Sequence, residues 1–371
     1  MPVLLNNGSN IVKIESIREN RSSSRKCAMP AVVLLVGLMV LAGCSSNQFT
    51  GPLGAFMVTP PNAVNPLVGE ANCTPPIENF AGTDQQFYVT VNHPEVRQAG
   101  ASQPEERQAE ARLSVSVIEP KKPDGATEPR KPKGTILVLH GIYARSLWMM
   151  GPAKAMAEAG YRAVLVDLRG HGRSTGEHLT FGIQEAKDLS QVIDALEDRG
   201  LAEGPLGVYG ISYGATCSIH LAGYDPRIAA VVAVAPFSTM REEVPDFGKT
   251  MVPGIGWAIP EDTYQQAINE AGRRADFDPD RASAVEAIRR TKAQVLLVHG
   301  TADWVVPHRH SVRLHEAAPD HSQLSLVPWH GHMVIWFDPT SEVAGKTRDW
   351  FDRWLGAASR DIAARNAPAA R

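Results

Sequence analysis

Ser212 sits in Gly-Ile-Ser-Tyr-Gly, residues 210–214, after the apolar run "LGVYGI" and before the helical pattern "YGATCSIHLAGYD". A serine flanked by glycines two positions away on each side, at a strand-to-helix junction, is the nucleophile-elbow pattern G-x-S-x-G. Gly210 and Gly214 keep bulk away from a sharp turn. The turn exposes Oγ at a helix N-terminus, where free N–H groups and the helix dipole favour developing negative charge. A serine hydroxyl is a weak nucleophile until a base takes its proton. In a strand–turn–helix setting the chain order should be serine, acid, histidine, each at a strand end. Asp303 follows "QVLLVHG" and His332 follows "SQLSLVPWHGH", so Ser212, Asp303 and His332 fit that order.

Each role has a rival. Asp225, in "YDPRIAA", is another acid, but it opens a turn ahead of a strand and reads as structural. His330 competes for the base; His332 is preferred because the apolar run "MVIWF" after it would start a helix under the site. Seven histidines lie between His299 and His332, including His308 and His310, yet cysteine and carboxylate partners at ligand spacing are missing, so no metal site is expected. The strand "TILVLHG" ends at His140-Gly141. The backbone N–H groups of Ile142, in the loop that follows, and of Tyr213, after the nucleophile, are the expected oxyanion donors, with Tyr143 as the alternative from the first loop. His140 itself reads as a structural histidine.

Elements must hold these residues. "GTILVLHG", "YRAVLVDLRG", "GPLGVYGIS", "IAAVVAVAPF" and "AQVLLVHGTAD" are short, continuous apolar runs, as strands buried on both faces are. Helical patterns alternate with them, which predicts an α/β doubly wound sheet. "QFYVTV" and "RLSVSVIEP" alternate apolar and polar residues and read as further strands. The alternation is interrupted over residues 238–292, which reads as an insertion, and "VAGKTRDWFDRWL" as a closing amphipathic helix. Residues 356–371 are expected to be a disordered tail. The chain has 371 residues, is 43% hydrophobic and carries a net charge of −3, enough for a large core and without the basic footprint of a nucleic-acid binder.

The N-terminal region has a different character. Basic residues Arg21, Arg25 and Lys26 precede an apolar run over 28–42, the anatomy of a signal peptide and short for a membrane span. The run ends in Leu-Ala-Gly-Cys, residues 41–44, which resembles the lipobox of bacterial lipoproteins. That resemblance implies removal of residues 1–43, acylation of Cys44 and retention at the cell envelope. Ser45 rather than Asp after the cysteine implies the outer membrane. Residues 44–80, rich in Pro, Gly and Asn, read as the lipidated cysteine and a flexible tether to a domain over 81–355. Residues 1–43 carry five basic and two acidic side chains, so the remainder is mildly acidic. Beyond them Cys73 and Cys217 remain, and a buried thiol is expected for Cys217 rather than a bridge.

"LHGI", "VDLRGHGRSTGEH", "GISYGAT" and "LLVHGTADWVVP…HGH", in this order and spacing over about 134–355, resemble the α/β-hydrolase superfamily. The segment "TFGIQEAKDLSQVIDAL" is similar to its dienelactone-hydrolase-like and prolyl-oligopeptidase-like branch. The resemblance implies hydrolysis through an acyl-enzyme with no cofactor, Asp167 and Arg169 buttressing the loops, and a lid formed by 238–292. The sequence lacks room before its first matched strand for the β-propeller of true oligopeptidases, which lowers the peptidase reading. The leading expectation is an envelope-anchored carboxylic-ester hydrolase acting on small or lipid-like esters. Met251, Ile255 and Trp257 of the lid are the candidate pocket residues. The elbow serves amide, peptide and thioester hydrolysis equally well, and an inactive hydrolase-like binding module is the reading from another class.

Overall fold

The computed structural model of the chain describes residues 47–64, 82–93, 111–121, 130–251, 254–338 and 340–366. Eight strands form one sheet: β1 (Gln85–Val91), β2 (Ala111–Ile118), β3 (Thr135–Leu139), β4 (Arg162–Val166), β5 (Leu206–Ile211), β6 (Ile228–Val234), β7 (Gln294–Gly300) and β8 (Ser322–Val327). Their spatial order is β1-β2-β4-β3-β5-β6-β7-β8. β2 is antiparallel to both β1 and β4, and every pairing from β4 across to β8 is parallel.

Twelve helices accompany the sheet among the described residues. They are α1 (Asn47–Val58), α2 (Pro61–Val64), α3 (Met150–Ala159), α4 (Ile183–Asp198), α5 (Tyr213–Tyr224), α6 (Met240–Met251), α7 (Ile255–Ala258), α8 (Glu261–Arg274), α9 (Ala284–Arg290), α10 (Arg309–Ala317), α11 (His332–Phe337) and α12 (Glu342–Asn366). None is long and apolar enough to cross a membrane.

The apolar runs are buried on both faces because successive strand side chains point opposite ways. Leu137 and Leu139 of β3 join one core with Leu189, Val192 and Leu196 of α4 and Leu221 of α5. Ile136 and Val138 join the other with Met156 of α3 and with Trp350, Phe351 and Leu355 of α12. This is the mostly parallel, doubly wound architecture expected from the sequence, and α6 to α9 occupy the insertion between β6 and β7.

The chain runs from β3 to β4 on one side and returns to β5 on the other side of β3. The loops after β3 and β5 therefore flank a topological switch point, where α/β sheets form crevices at the strand C-termini. Asp167, in the loop after β4, ties that loop to the one after β3: its Oδ1 accepts the Ser146 N–H at 2.7 Å and its Oδ2 the Arg173 N–H at 3.0 Å. Arg169 donates twice to the buried Asp188 of α4, each at 2.8 Å.

Two boundaries differ from the expectation. Within the stretch 44–80, read as a flexible tether, residues 47–64 hold α1 and α2, and α1 lies against lid helix α8. A Cβ on Gly54 would come within 2.6 Å of the Ala267 carbonyl oxygen, so the helices meet at backbone distance. The 356–371 tail is helical as far as Asn366, because its Ala and Arg residues are strong helix formers that extend α12. The signal peptide, Cys44 and Cys73 lie outside the described residues; Cys217 is a buried thiol on α5.

Candidate active site

Ser212 joins β5 to α5 with φ 53° and ψ −117°, a conformation costly for a residue with a Cβ. Surrounding packing holds it. The Ser212 N–H donates to Val234 O at 2.8 Å, while buried Tyr213 donates its hydroxyl to Glu185 Oε1 at 2.8 Å. The flanking glycines are a steric necessity. A Cβ on Gly210 would stand 2.3 Å from Gly214 O, and one on Gly214 would stand 2.4 Å from His140 O. Both obstacles are backbone atoms, so neither can swing aside. Gly214→Ala is expected to cost about 3 kcal/mol or more of stability by overpacking; a denaturant midpoint matching that of the parent protein would contradict this account.

The structure brings the three sequence-predicted residues together. Asp303 follows β7 and His332 opens α11 after β8, so both stand with Ser212 at the C-terminal ends of the parallel strands. His332 Nε2 lies 3.1 Å from Ser212 Oγ, and His332 Nδ1 lies 2.7 Å from Asp303 Oδ2. Asp303 Oδ1 accepts the N–H groups of Val305 and Val306 at 3.0 and 2.9 Å. Burial opposes ionisation of Asp303, but hydrogen bonds from His299 and His332 and the proximity of both rings outweigh it and hold the carboxyl down at about 2. An ionised Asp303 must accept from His332 Nδ1–H, which leaves Nε2 as the lone-pair nitrogen facing the serine. That arrangement can remove a proton from Oγ.

His330, the rival base, points elsewhere, its Nδ1 2.9 Å from Pro328 O. Asp225 pairs with Arg227 and accepts from Ser190, a structural role as expected. His140 accepts the Leu168 N–H through Nε2 at 3.0 Å and donates from Nδ1 to Gly141 O at 2.8 Å, which pins the loop after β3. Burial lowers its pKa, so it stays neutral. Beyond that loop, neither the Ile142 nor the Tyr213 N–H has a hydrogen-bond partner among the described residues. Tyr143, the alternative donor, has φ 59°.

A cavity of about 400 Å³ opens on Ser212 and His332. Its walls are largely apolar: Ile142, Phe181, Phe237, Val244, Phe247, Met251 and Trp304 from the body and lid, with Leu53, Phe56 and Met57 from α1. Of the lid residues singled out in the sequence, Met251 lines it. Trp257 does not: it is 74% exposed, with the Lys249 ammonium 5.9 Å from its ring centroid. Its short helix turns it outward, and Phe247, one turn before Met251, takes the inner position. Ile255 opens the same short helix, and its side chain lies outside the described part of the structure.

The sequence reading missed α1, whose Leu53, Phe56 and Met57 stand at helical spacing but are masked by Gly51, Pro52 and Gly54. It also missed Trp336, which packs on the His332 ring at a centroid distance of 5.1 Å. Its signal was present, since positions 332 and 336 are one helical turn apart. A cluster of Glu243, Asp246 and His310 has ligand atoms within 4.8 Å of one another. The Arg309 guanidinium pairs with Asp246 of this cluster, and the two carboxylates beside His310 come from lid helix α6, at a sequence distance that ligand spacing does not reveal.

Comparison with known proteins follows the same lines. A family model described as serine aminopeptidase, S33, matches residues 130–280, which include Ser212 but neither Asp303 nor His332. The uncharacterized protein YqkD of Bacillus subtilis is 24% identical over 191 residues, 51% of this chain and 61% of that protein. ABHD14B of Rattus norvegicus, described as a candidate protein-lysine deacylase, is 33% identical over 129 residues, 33% of this chain and 58% of that protein. The chain thus spans about three fifths of the length of these relatives. Among solved structures, the Pyrococcus furiosus esterase Pf2001 superposes with a TM-score of 0.51 at 20% identity, covering 73% of this chain and 93% of that one.

Proposed function

The chain is a member of the α/β-hydrolase superfamily, and from that premise we propose that it cleaves carboxylic esters through an acyl-enzyme formed on Ser212. In this reading His332 Nε2 takes the Oγ proton as Oγ attacks the ester carbonyl carbon. The carbonyl oxygen becomes an oxyanion held by the Ile142 and Tyr213 N–H groups. The tetrahedral intermediate collapses, the C–O bond to the alcohol breaks, and imidazolium His332 returns the proton to the departing alkoxide. Water then repeats the sequence on the acyl-enzyme and releases the acid. Asp303 keeps the imidazole in the productive tautomer and stabilises its charge.

The observation that carries the ester reading is the apolar cavity opening on Ser212. Apolar walls bind an acyl chain through area removed from water, which suits a lipid-like ester better than a peptide with its chain of amides. The amide reading draws support from the aminopeptidase family model and from the protein-lysine deacylase activity ascribed to the rat relative. Matched p-nitrophenyl ester, thioester and aminoacyl-anilide substrates separate them. Esters are expected to turn over fastest, and a faster anilide would transfer the assignment to amide hydrolysis. Failure of a fluorophosphonate to label a folded chain would favour the inactive binding module.

The proposal includes attachment to the bacterial envelope through acylated Cys44. α1 begins three positions after Cys44 and supplies Leu53, Phe56 and Met57 to the cavity wall. A lipid at Cys44 would therefore hold the cavity close to a membrane. The lining residues Met251, Trp304 and Met333 are 45%, 66% and 46% exposed, an apolar rim suited to an ester leaving a lipid phase. Phe56→Ala is expected to lower kcat/KM for a p-nitrophenyl octanoate by about tenfold, because the ring no longer shields the far end of the chain from water, and to leave the acetate unaffected. Equal losses on both esters would mean that α1 does not touch the acyl chain.

A further inference from the structure

Trp336 of α11 stands between two cavities. It lines the catalytic cavity that opens on Ser212 and His332. It also lines a second cavity of about 270 Å³, walled by Ala155 and Met156 of α3, Tyr161, Tyr209 of β5, and Val343 and Phe351 of α12. Among the described residues Trp336 alone belongs to both walls.

The indole closes the gap between them. A Cβ on Gly141 would stand 2.8 Å from Trp336 Cη2 and 3.5 Å from Ser212 Cβ. The ring therefore reaches from α11 to the loop after β3, and its edge stands beside the nucleophile. Its face meets the base, with the Trp336 and His332 ring centroids 5.1 Å apart. Nε1 makes no hydrogen bond to another described residue, and the side chain is half-buried, so packing alone holds the ring in place.

The direction of the leaving group follows from the chemistry. His332 Nε2 must come within hydrogen-bond reach of the alcohol oxygen to return the proton. That nitrogen lies 3.1 Å from Ser212 Oγ, and Trp336 lies against the same imidazole. With the acyl chain assigned to the walls of α1 and the lid, the alcohol portion extends past His332 and meets the indole. Behind the indole lies the second cavity. An apolar cavity of about 150 Å³ already holds one benzene ring, so this one has space for a bulkier aromatic group.

We propose that Trp336 determines the size of the alcohol portion: the indole closes off the second cavity and restricts the protein to esters of small alcohols, and a smaller side chain at this position admits a two-ring aromatic alcohol into that cavity. This rests on the reading of the protein as an ester hydrolase.

The test uses the full chain and two butyrates, of ethanol and of 2-naphthylmethanol, with acid release followed by titration. The acyl part is constant and both alcohols are primary, so they differ chiefly in bulk. The readout is the ratio of kcat/KM for the naphthylmethyl ester to that for the ethyl ester within each protein. A loosened His332 lowers both rates and leaves the ratio where it was, so a merely supporting role for Trp336 does not move it. The parent ratio is expected at about one tenth or lower, and Trp336→Ala should raise it by about tenfold or more. Trp336→Phe keeps a ring and should fall between; Trp336→Leu repeats the test should the alanine variant not fold. Ala155 is exposed on α3 and lines the second cavity, so Ala155→Phe added to Trp336→Ala should fill that space and cancel the gain. A parent ratio near one, a ratio unmoved in folded Trp336→Ala or Trp336→Leu, or a gain that survives Ala155→Phe overturns the proposal. Hydrolysis of ethyl butyrate by the parent protein and its absence in Ser212→Ala show separately whether the ester reading stands. A parent protein that cleaves neither ester removes that reading and this proposal with it, whereas an active one with an unmoved ratio removes the proposal alone.

Discussion

Ser212→Ala is expected to lower ester turnover by about a million-fold, the loss seen when an activated serine is removed from a catalytic triad, while the melting temperature stays within about 2 °C of the parent protein. Oγ is the atom 3.1 Å from His332 Nε2, so its removal takes away the nucleophile and the recipient of the base together. Stability should hardly change, because alanine keeps the Cβ and the same φ of 53°. The strain of that backbone therefore remains in the variant. Ser212→Gly separates the two effects: it should be equally inactive yet more stable by about 1 kcal/mol, since glycine adopts positive φ without a Cβ clash. Substantial p-nitrophenyl ester turnover by Ser212→Ala, measured with a homogeneous preparation, would remove the assignment of the nucleophile.

The second large effect distinguishes two histidines that are neighbours in sequence. His332→Ala should cost on the order of a million-fold in kcat and abolish fluorophosphonate labelling of Ser212. His330→Ala should leave both within a factor of about two, since its ring bonds to Pro328 O and does not approach the serine. Asp303→Asn should lower kcat by about ten-thousand-fold, because an amide in that place permits the wrong imidazole tautomer. Asp303 stays ionised down to about pH 2. Any acid loss of activity at higher pH must therefore arise from a group other than Asp303. The reverse result, a silent His332→Ala with an inactive His330→Ala, would exchange their roles.

Much of this site was legible in the sequence because its signals are local. Gly-Ile-Ser-Tyr-Gly after an apolar run encodes a strand, a strained turn and a helix within a few residues, and the clash distances at Gly210 and Gly214 show why other residues would not fit. The order of Ser212, Asp303 and His332 along the chain pointed to them, with the turn at Asp225 and the apolar run after His332 weighing against the rivals Asp225 and His330. Continuous apolar runs alternating with helical patterns determined the doubly wound sheet, because a strand buried on both faces has no polar side.

Tertiary structure decided what covers the serine. Residues 47–58 carry glycine and proline, and a local reading gives a tether; only packing against α8 makes them a helix and part of the cavity wall. Trp257 and Phe247 are both lid aromatics in the sequence, and the turn of a four-residue helix sends Trp257 outward while Phe247 faces the cavity. Glu242 and Glu243 are adjacent acids in the sequence. Helix geometry separates them, with Glu242 toward Arg313 and Glu243 into an apolar wall. The residues assigned here to the chemistry are marked by backbone constraints a few positions long. The residues that line the cavity are brought together from α1, the lid and the strand ends, and a long-range juxtaposition of that kind leaves no periodic trace in the chain.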